Sequence, residues 1–458
     1  MPDFPLPLPL TAFEEYMLRD DRPNYPMSIV ARLRFTGQLD RRATSEALEM
    51  ALARHPLLRA KIRRTPEGRL AWIPVEDYRP PIEWIDGPEH DRFPSMRPID
   101  LFSEPGLRVW GITDAQHSLL SLQVHHAACD GKGVLQVTDD FLRSYARISA
   151  GKQSPIELSP CNPQTLQGRG SFGLTVGKYL RMLPAQLSGL LGVQMFLMRR
   201  PVPLLEPITA ISSELPAGFP DVKVGSLESD EVRKLSAITA ALQVTVNDWL
   251  IRDFFVAVDD FRSRHQATAA HEWIRFSIPM NLRQGFDNHM PAANVVSMVF
   301  LDRTPKQIAN SVGLLRSIHA QMDLIRRRQL GLIFVLSLSL LRFLPGGLAK
   351  RVNKGRCEAT CVLSNWGRVM ADSPLPRCNE KIVAGNVMLE SMDVFAPIRD
   401  GTAVSVSMVF YAGKLQVCMQ YDSRHITEAQ ADDLMATYLQ TIRASLDMAS
   451  RAVQGKAA

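Results

Sequence analysis

A chain of 458 residues is too long for one ordinary core, so two domains of roughly 200 residues each are expected. With 46% hydrophobic and 22% charged residues it has the balance of a folded globular protein, and disorder is expected only at the ends, for instance from Arg451. The net charge of +6 comes without a long basic run interleaved with aromatics, which argues against nucleic acid as a partner; the cations cluster instead beside apolar runs, as suits a membrane surface or an anionic ligand.

Residues 28–36, SIVARLRFT, alternate and are rich in β-branched side chains, as a strand requires. A helix is expected from Asp40 to His55, with Ala47, Leu48, Ala51 and Leu52 as its apolar stripe and Pro56 as its stop. Residues 118–126, SLLSLQVHH, form a second strand, and 133–148 have a helical period. Gly, Pro, Ser and Gln make 151–171 a linker. The stretch 172–204 is apolar with few acids, and Pro184 and its glycines are expected to break it into short helices.

A second half begins near 220. Two helices fill 229–264, the second started by Thr245 with Asp248 three residues on. Strands are expected at 273–279 and 294–301, and helix over 306–344. Strands 403–411 and 414–421 are joined by Ala412-Gly413 as a tight hairpin. The last helix opens on Thr427 and Gln430, with Leu434, Tyr438, Ile442 and Leu446 on its apolar face. The division that follows is an N-terminal lobe over 1–171, an apolar helical linker over 172–219 and a C-terminal lobe over 220–458, both lobes of the α/β class.

Six scattered cysteines without a CxxC pair argue against a zinc site and for reduced thiols in a cytoplasmic protein. The start of the chain has no basic segment before an apolar one, so no signal peptide is expected, and no run reaches the ~20 apolar residues that span a bilayer.

The segment Val124-His125-His126-Ala127-Ala128-Cys129-Asp130-Gly131 carries the chemistry. Successive strand side chains point to opposite faces, so Leu120, Leu122, Val124 and His126 share one face while Ser121, Gln123 and His125 share the other. The two histidines therefore cannot hold a common metal ion, and no metal is expected. His126 ends the apolar face where strand passes into loop, a place suited to a general base; imidazole takes protons near neutral pH. Nothing resembling a nucleophile elbow accompanies it. The bland reading is a core histidine that merely packs, and on local chemistry alone both readings stand.

The pattern His125-His126-Ala127-Ala128-Cys129-Asp130-Gly131 resembles the HHxxxDG signature of the thioester-dependent acyltransferase superfamily. That group includes chloramphenicol acetyltransferase, condensation domains, polyketide-associated acyltransferases, alcohol acetyltransferases and wax ester synthase/diacylglycerol acyltransferases. Further blocks are similar and in family order across nearly the whole chain: Ala53 to Arg59, Pro98 to Leu101 with Glu104 to Arg108, Val246-Asn247-Asp248, Ile278 to Arg283, Ala293-Asn294-Val295, Ser364-Asn365-Trp366-Gly367, Tyr411 to Leu415 and Tyr421-Asp422. The plant-type DFGWG motif is absent.

The resemblance implies two chloramphenicol-acetyltransferase-like lobes with a substrate tunnel between them and His126 at its centre. Donor and acceptor would enter from opposite ends. Asp130 would be a structural member of the catalytic motif, paired with Arg283; His125 and Gly131 would brace the loop; Asn247 and the Ser364–Gly367 loop (Ser364, Asn365, Trp366, Gly367) would stand at the tunnel, the loop shaping the oxyanion region. Asn247 and Asp248 equally read as helix caps, and Cys129 as packing rather than nucleophile. No cofactor would be bound; acyl-CoA or an acyl-carrier thioester would be co-substrate, with an alcohol or amine acceptor and an acyl carrier protein among the partners. A stand-alone amide-forming condensation enzyme and a non-catalytic binding protein of the same fold are the rival functions.

Two apolar runs remain, 172–204 and 329–345, both flanked by cations. They suggest a lipid-like substrate and read either as core or tunnel wall, or as interfacial helices touching a membrane surface. In the buried reading, Phe334, Leu338, Leu341 and Leu344 pack against the second lobe.

Overall fold

The computed structural model describes residues 5–86, 96–150, 156–174, 176–209, 212–216, 218–352 and 357–457. A seven-stranded sheet anchors the first lobe. Its order across the sheet is Arg377–Cys378, Lys381–Ala384, Val387–Phe395, Ser28–Thr36, His117–His125, Leu107–Thr113 and Ile82–Asp86. A six-stranded sheet anchors the second: Val296–Arg303, Ile274–Asn281, Cys361–Arg368, Val404–Tyr411, Lys414–Tyr421 and Val222–Leu227. Helices Arg41–Leu52 and Gly131–Ser149 pack together in the first lobe, and Val246–His265 packs on Glu428–Ala457 in the second.

The strand Ser28–Thr36 explains its own place. Ile29, Ala31, Leu33 and Phe35 point into the first core, while Arg32 faces the other way. Directly opposite Arg32 lies Asp393 of Val387–Phe395, and the buried pair closes at 2.9 Å. This cross-strand pair helps seat a late segment of the chain in the early lobe. The division expected at 219 is therefore crossed: strands from 377 to 395 belong to the first sheet, because their charge and register match Ser28–Thr36 rather than the second sheet. No hydropathy signal marks such an exchange.

Most expected elements recur with small shifts, while the helical stretch 306–344 divides into Pro305–Ile308, Ser311–Arg327 and Leu332–Leu341. The second strand is His117–His125, leaving His126 one residue beyond it. Thr245 and Asp248 form a reciprocal cap, as do Thr427 and Gln430. In the hairpin turn Ala412 and Gly413 both take positive φ, 47° and 75°, as a tight two-residue turn demands.

Three expectations give way. One helix, Val176–Met198, runs through Pro184 instead of breaking there. The tail from Arg451 continues the last helix to Ala457. Ser364–Gly367 is not a loop but the end of the strand Cys361–Arg368, bulged between Asn365 and Gly367. Among the described residues no helix is long and apolar enough to cross a membrane.

Candidate active site

The strand His117–His125 lies between Ser28–Thr36 and Leu107–Thr113, so its end is held on both sides. Past that end the backbone N–H of His126 donates to Met27 O at 2.6 Å. The two histidines part as strand alternation requires. His125 is buried; its Nδ1 accepts from Ala127 N–H at 3.0 Å and its Nε2 lies 3.5 Å from Asp21 Oδ2. It braces the turn. His126 instead lines two cavities.

Those cavities share His126, Pro279 and Ala396 and extend to different sides. The first is walled by Met17, Met27, Met298, Phe300, Val352 and Val362, with Asp20, Arg22, Glu358, Arg399 and Asp400 also lining it. The second is walled by Asp130, Gly131, Lys132, Asn281, Arg283, Ser364, Asn365 and Trp366 together with Ile29, Leu135 and Val296. Residues of both lobes contribute to each wall. The charged groups of the first cavity are engaged: Arg22 with Asp400 at 2.7 Å, Arg399 with Asp20 at 2.5 Å, and Arg351 with Glu358.

Asp130 does not face substrate space as a free carboxylate. Its Oδ1 caps the helix Gly131–Ser149 by accepting from Gly133 N–H at 3.0 Å. Its Oδ2 accepts from Arg283 Nη1 at 2.8 Å and Val295 N–H at 2.9 Å. Burial alone would raise its pKa, but the Arg283 charge and these donors outweigh it and hold the carboxyl below its ordinary range. The Asp130–Arg283 pair is thus formed and joins the two lobes. Arg283 also donates to Ala293 O at 2.9 Å.

The segment Ala292 to Val295 turns out to be a strap over this junction. Ala292 N–H donates to His55 Nδ1 at 2.9 Å, and His55 Nε2 in turn meets Asp140 at 3.2 Å. Ala293 O accepts from Asp130 N–H at 3.3 Å. Asn294 Nδ2 donates to both His126 O, at 2.6 Å, and Ala127 O, at 2.8 Å. Val295 completes the set through Asp130. Four successive residues of the second lobe thereby fix the backbone that presents His126. Sequence reasoning marked both 53–59 and 293–295 as matching blocks but assigned them no work, because hydrogen bonds between such distant segments leave no periodicity.

Gly131 is small for a reason that spacing could not give. A Cβ there would stand 2.8 Å from the Trp366 ring. Gly367 instead needs its positive φ of 70° and lies outside the cavity walls. Asn247 is also not on a wall; its Oδ1 accepts from Asn365 Nδ2 at 3.0 Å, so it steadies a wall residue. Ser364, Asn365 and Trp366 do line the second cavity. The indole N–H of Trp366 is buried without a partner among the described residues.

Burial lowers the pKa of His126 below the ordinary imidazole value, against the pull of the Asp130 charge. Its ring is therefore neutral near pH 7, the form a base requires. Burial pushes the Cys129 thiol far above its ordinary value, and it packs beside Gly133, as suits a core side chain. No cluster of metal-ligating side chains occurs among the described residues.

Comparison with known proteins agrees with the superfamily resemblance. The family model described as the WS/DGAT C-terminal domain matches residues 292–443, a stretch that opens on the strap. An uncharacterized protein of Mycobacterium tuberculosis is 32% identical over 145 residues, which is 30% of this chain and 33% of that relative. The match therefore spans only about a third of the curated relative's length. Among solved structures, the first condensation domain of the CDA synthetase superposes with a TM-score of 0.69 at 15% identity, over 97% of this chain and 96% of that one. Polyketide synthase associated protein 5 from Mycobacterium tuberculosis gives 0.62 at 16% identity, over 96% of each. The fold is thus the two-lobed one of condensation domains and chloramphenicol-acetyltransferase-like enzymes.

Proposed function

We propose that this chain transfers an acyl group from an acyl thioester to a hydroxyl or amine acceptor, with His126 as general base. The observation that supports this most is the meeting of two cavities at His126, the arrangement needed when donor and acceptor approach from different sides. The ring nitrogen facing the cavities takes the acceptor proton as its oxygen or nitrogen attacks the thioester carbonyl. The tetrahedral intermediate collapses, the C–S bond breaks, and the imidazolium returns the proton to the leaving thiolate. No acyl-enzyme forms. Ser364 and the unpartnered Trp366 N–H stand on the wall where an oxyanion would need donors.

The apolar wall of the first cavity, with Met17, Met27, Met298, Phe300, Val352 and Val362, supports a lipid-like substrate, as does the match to a domain family named for wax ester synthase and diacylglycerol acyltransferase. The thioester is acyl-CoA or an acyl carrier, and the enzyme works in the cytoplasm. Amide formation on a carrier-bound acceptor is the second reading, favoured by the full-length likeness to a condensation domain.

The test is to incubate the protein with acyl-CoA and acyl-carrier thioesters, with and without alcohol and amine acceptors, and to identify products by mass spectrometry. Ester formation that requires an alcohol supports the first reading, and amide products alone support the second. Absence of turnover with every thioester would leave only a binding protein of this fold.

A further inference from the structure

We propose that the helix Val176–Met198 and the turn after the helix Leu332–Leu341 form one surface that lies on an anionic lipid bilayer. Its purpose, delivery of a lipid substrate to the first cavity, rests on the acyl-transfer reading; its geometry does not.

Half of the exposed large apolar side chains among the described residues fall on Val176–Met198 and on residues 340–344, the end of the second helix and the turn after it. Leu191, Met195 and Met198 are spaced to share a helical face, and all three are exposed. Leu340 at the end of the helix Leu332–Leu341 and Phe343 and Leu344 in the turn are exposed, Phe343 to 84%. The helix Val176–Met198 meets the chain on both sides of the turn: before it, Gln186 Nε2 donates to Arg328 O at 3.0 Å and Gly189 leaves room for Ile333; after it, the Arg351 guanidinium lies over the Phe196 ring at 5.8 Å. Contiguous apolar exposure of this kind marks an interaction surface.

Charge selects the partner. No Asp or Glu occurs between Glu157 and Glu206, nor between Asp323 and Glu358. Exposed Arg181, Arg200, Arg328 and Lys350 form no ion pair among the described residues. Apolar side chains flanked by cations and free of acids complement anionic headgroups over acyl chains.

The surface also continues into the site. Val352, at the end of the helix Gly347–Val352 that follows the turn, lines the first cavity, as do Met17 and Asp20 of the helix Ala12–Asp20. Arg342 beside the turn pairs with Glu15 of that same helix at 2.8 Å. A chain leaving the bilayer at Phe343 thus meets the elements that wall the cavity at His126.

The experiment is flotation of the full chain with phosphatidylcholine vesicles with and without phosphatidylglycerol, run beside acyl transfer from a soluble short-chain acyl-CoA to a soluble alcohol. Wild type is expected to float with anionic vesicles at low salt and to dissociate at high salt. F343S/L344S should lower flotation on the order of tenfold or more, and Arg200→Glu with Lys350→Glu should lower it independently. Both variants should keep the melting temperature and the soluble transfer rate. Wild type remaining unbound at low salt, or variants floating as well as wild type, would overturn the surface. Failure of every protein to turn over the soluble pair, with flotation as expected, would overturn acyl transfer and leave the surface standing.

Discussion

Around Asp130 a buried carboxylate receives hydrogen bonds from Gly133, Val295 and Arg283, whereas along Val176–Met198 and the 340–344 turn apolar side chains face outward. The first region is held by donors from both lobes in a low-dielectric setting, where each lost partner is costly. The second sits on the surface, where single side chains contribute little to folding. On the proposed reading, the contrast separates what would orient the reacting groups from what would meet an external partner.

The comparison breaks most sharply at the buried pair. Asp130→Asn leaves Arg283 unpaired in the interior and should cost about 3–5 kcal/mol, read by denaturant unfolding. Within one helix the same contrast appears in miniature. Leu338→Ala, at a position 1% exposed, should cost about 2–5 kcal/mol, while Leu340→Ala, 67% exposed, should stay within about 0.5 kcal/mol. Equal losses would erase the distinction between core and surface faces. Asn294→Ala strands the carbonyls of His126 and Ala127 and should cost about 1–3 kcal/mol together with a fall in kcat larger than any change in KM.

The pH dependence has a definite sign. Asp130 has a depressed folded pKa, so its stabilisation is complete above the unfolded value of about 3.9 and is lost as pH falls through the folded value. His126 is also depressed, so the acid limb of kcat/KM should lie below about 6.5, the ordinary imidazole value. A limb above it would contradict the buried, neutral base.

Much of this was legible from residues alone. Alternation in 118–126 separated the faces of His125 and His126, and caps at Thr245 and Thr427 located two helices. The block resemblance pointed to the Asp130–Arg283 pair, and the distance of 2.8 Å is there. What escaped was long-range pairing. Strands 377–395 joined the first sheet through Asp393 and Arg32, and Asn294 reached the His126 backbone across 168 positions. Neither is encoded in a local period. The apolar run 329–345 misled in part, because Leu332, Val335 and Leu338 are core while Phe343 and Leu344 are surface. Phe334 packs edge-on against Phe13, Tyr16 and Phe300, at the contact between lobes.

The most direct measurement is kcat/KM for acyl transfer by His126→Ala beside wild type, with thermal unfolding of both. The proposed base at the meeting of the two cavities predicts a loss of about 10²–10⁴-fold with an unchanged melting temperature. Near wild-type transfer by a folded His126→Ala protein would contradict it.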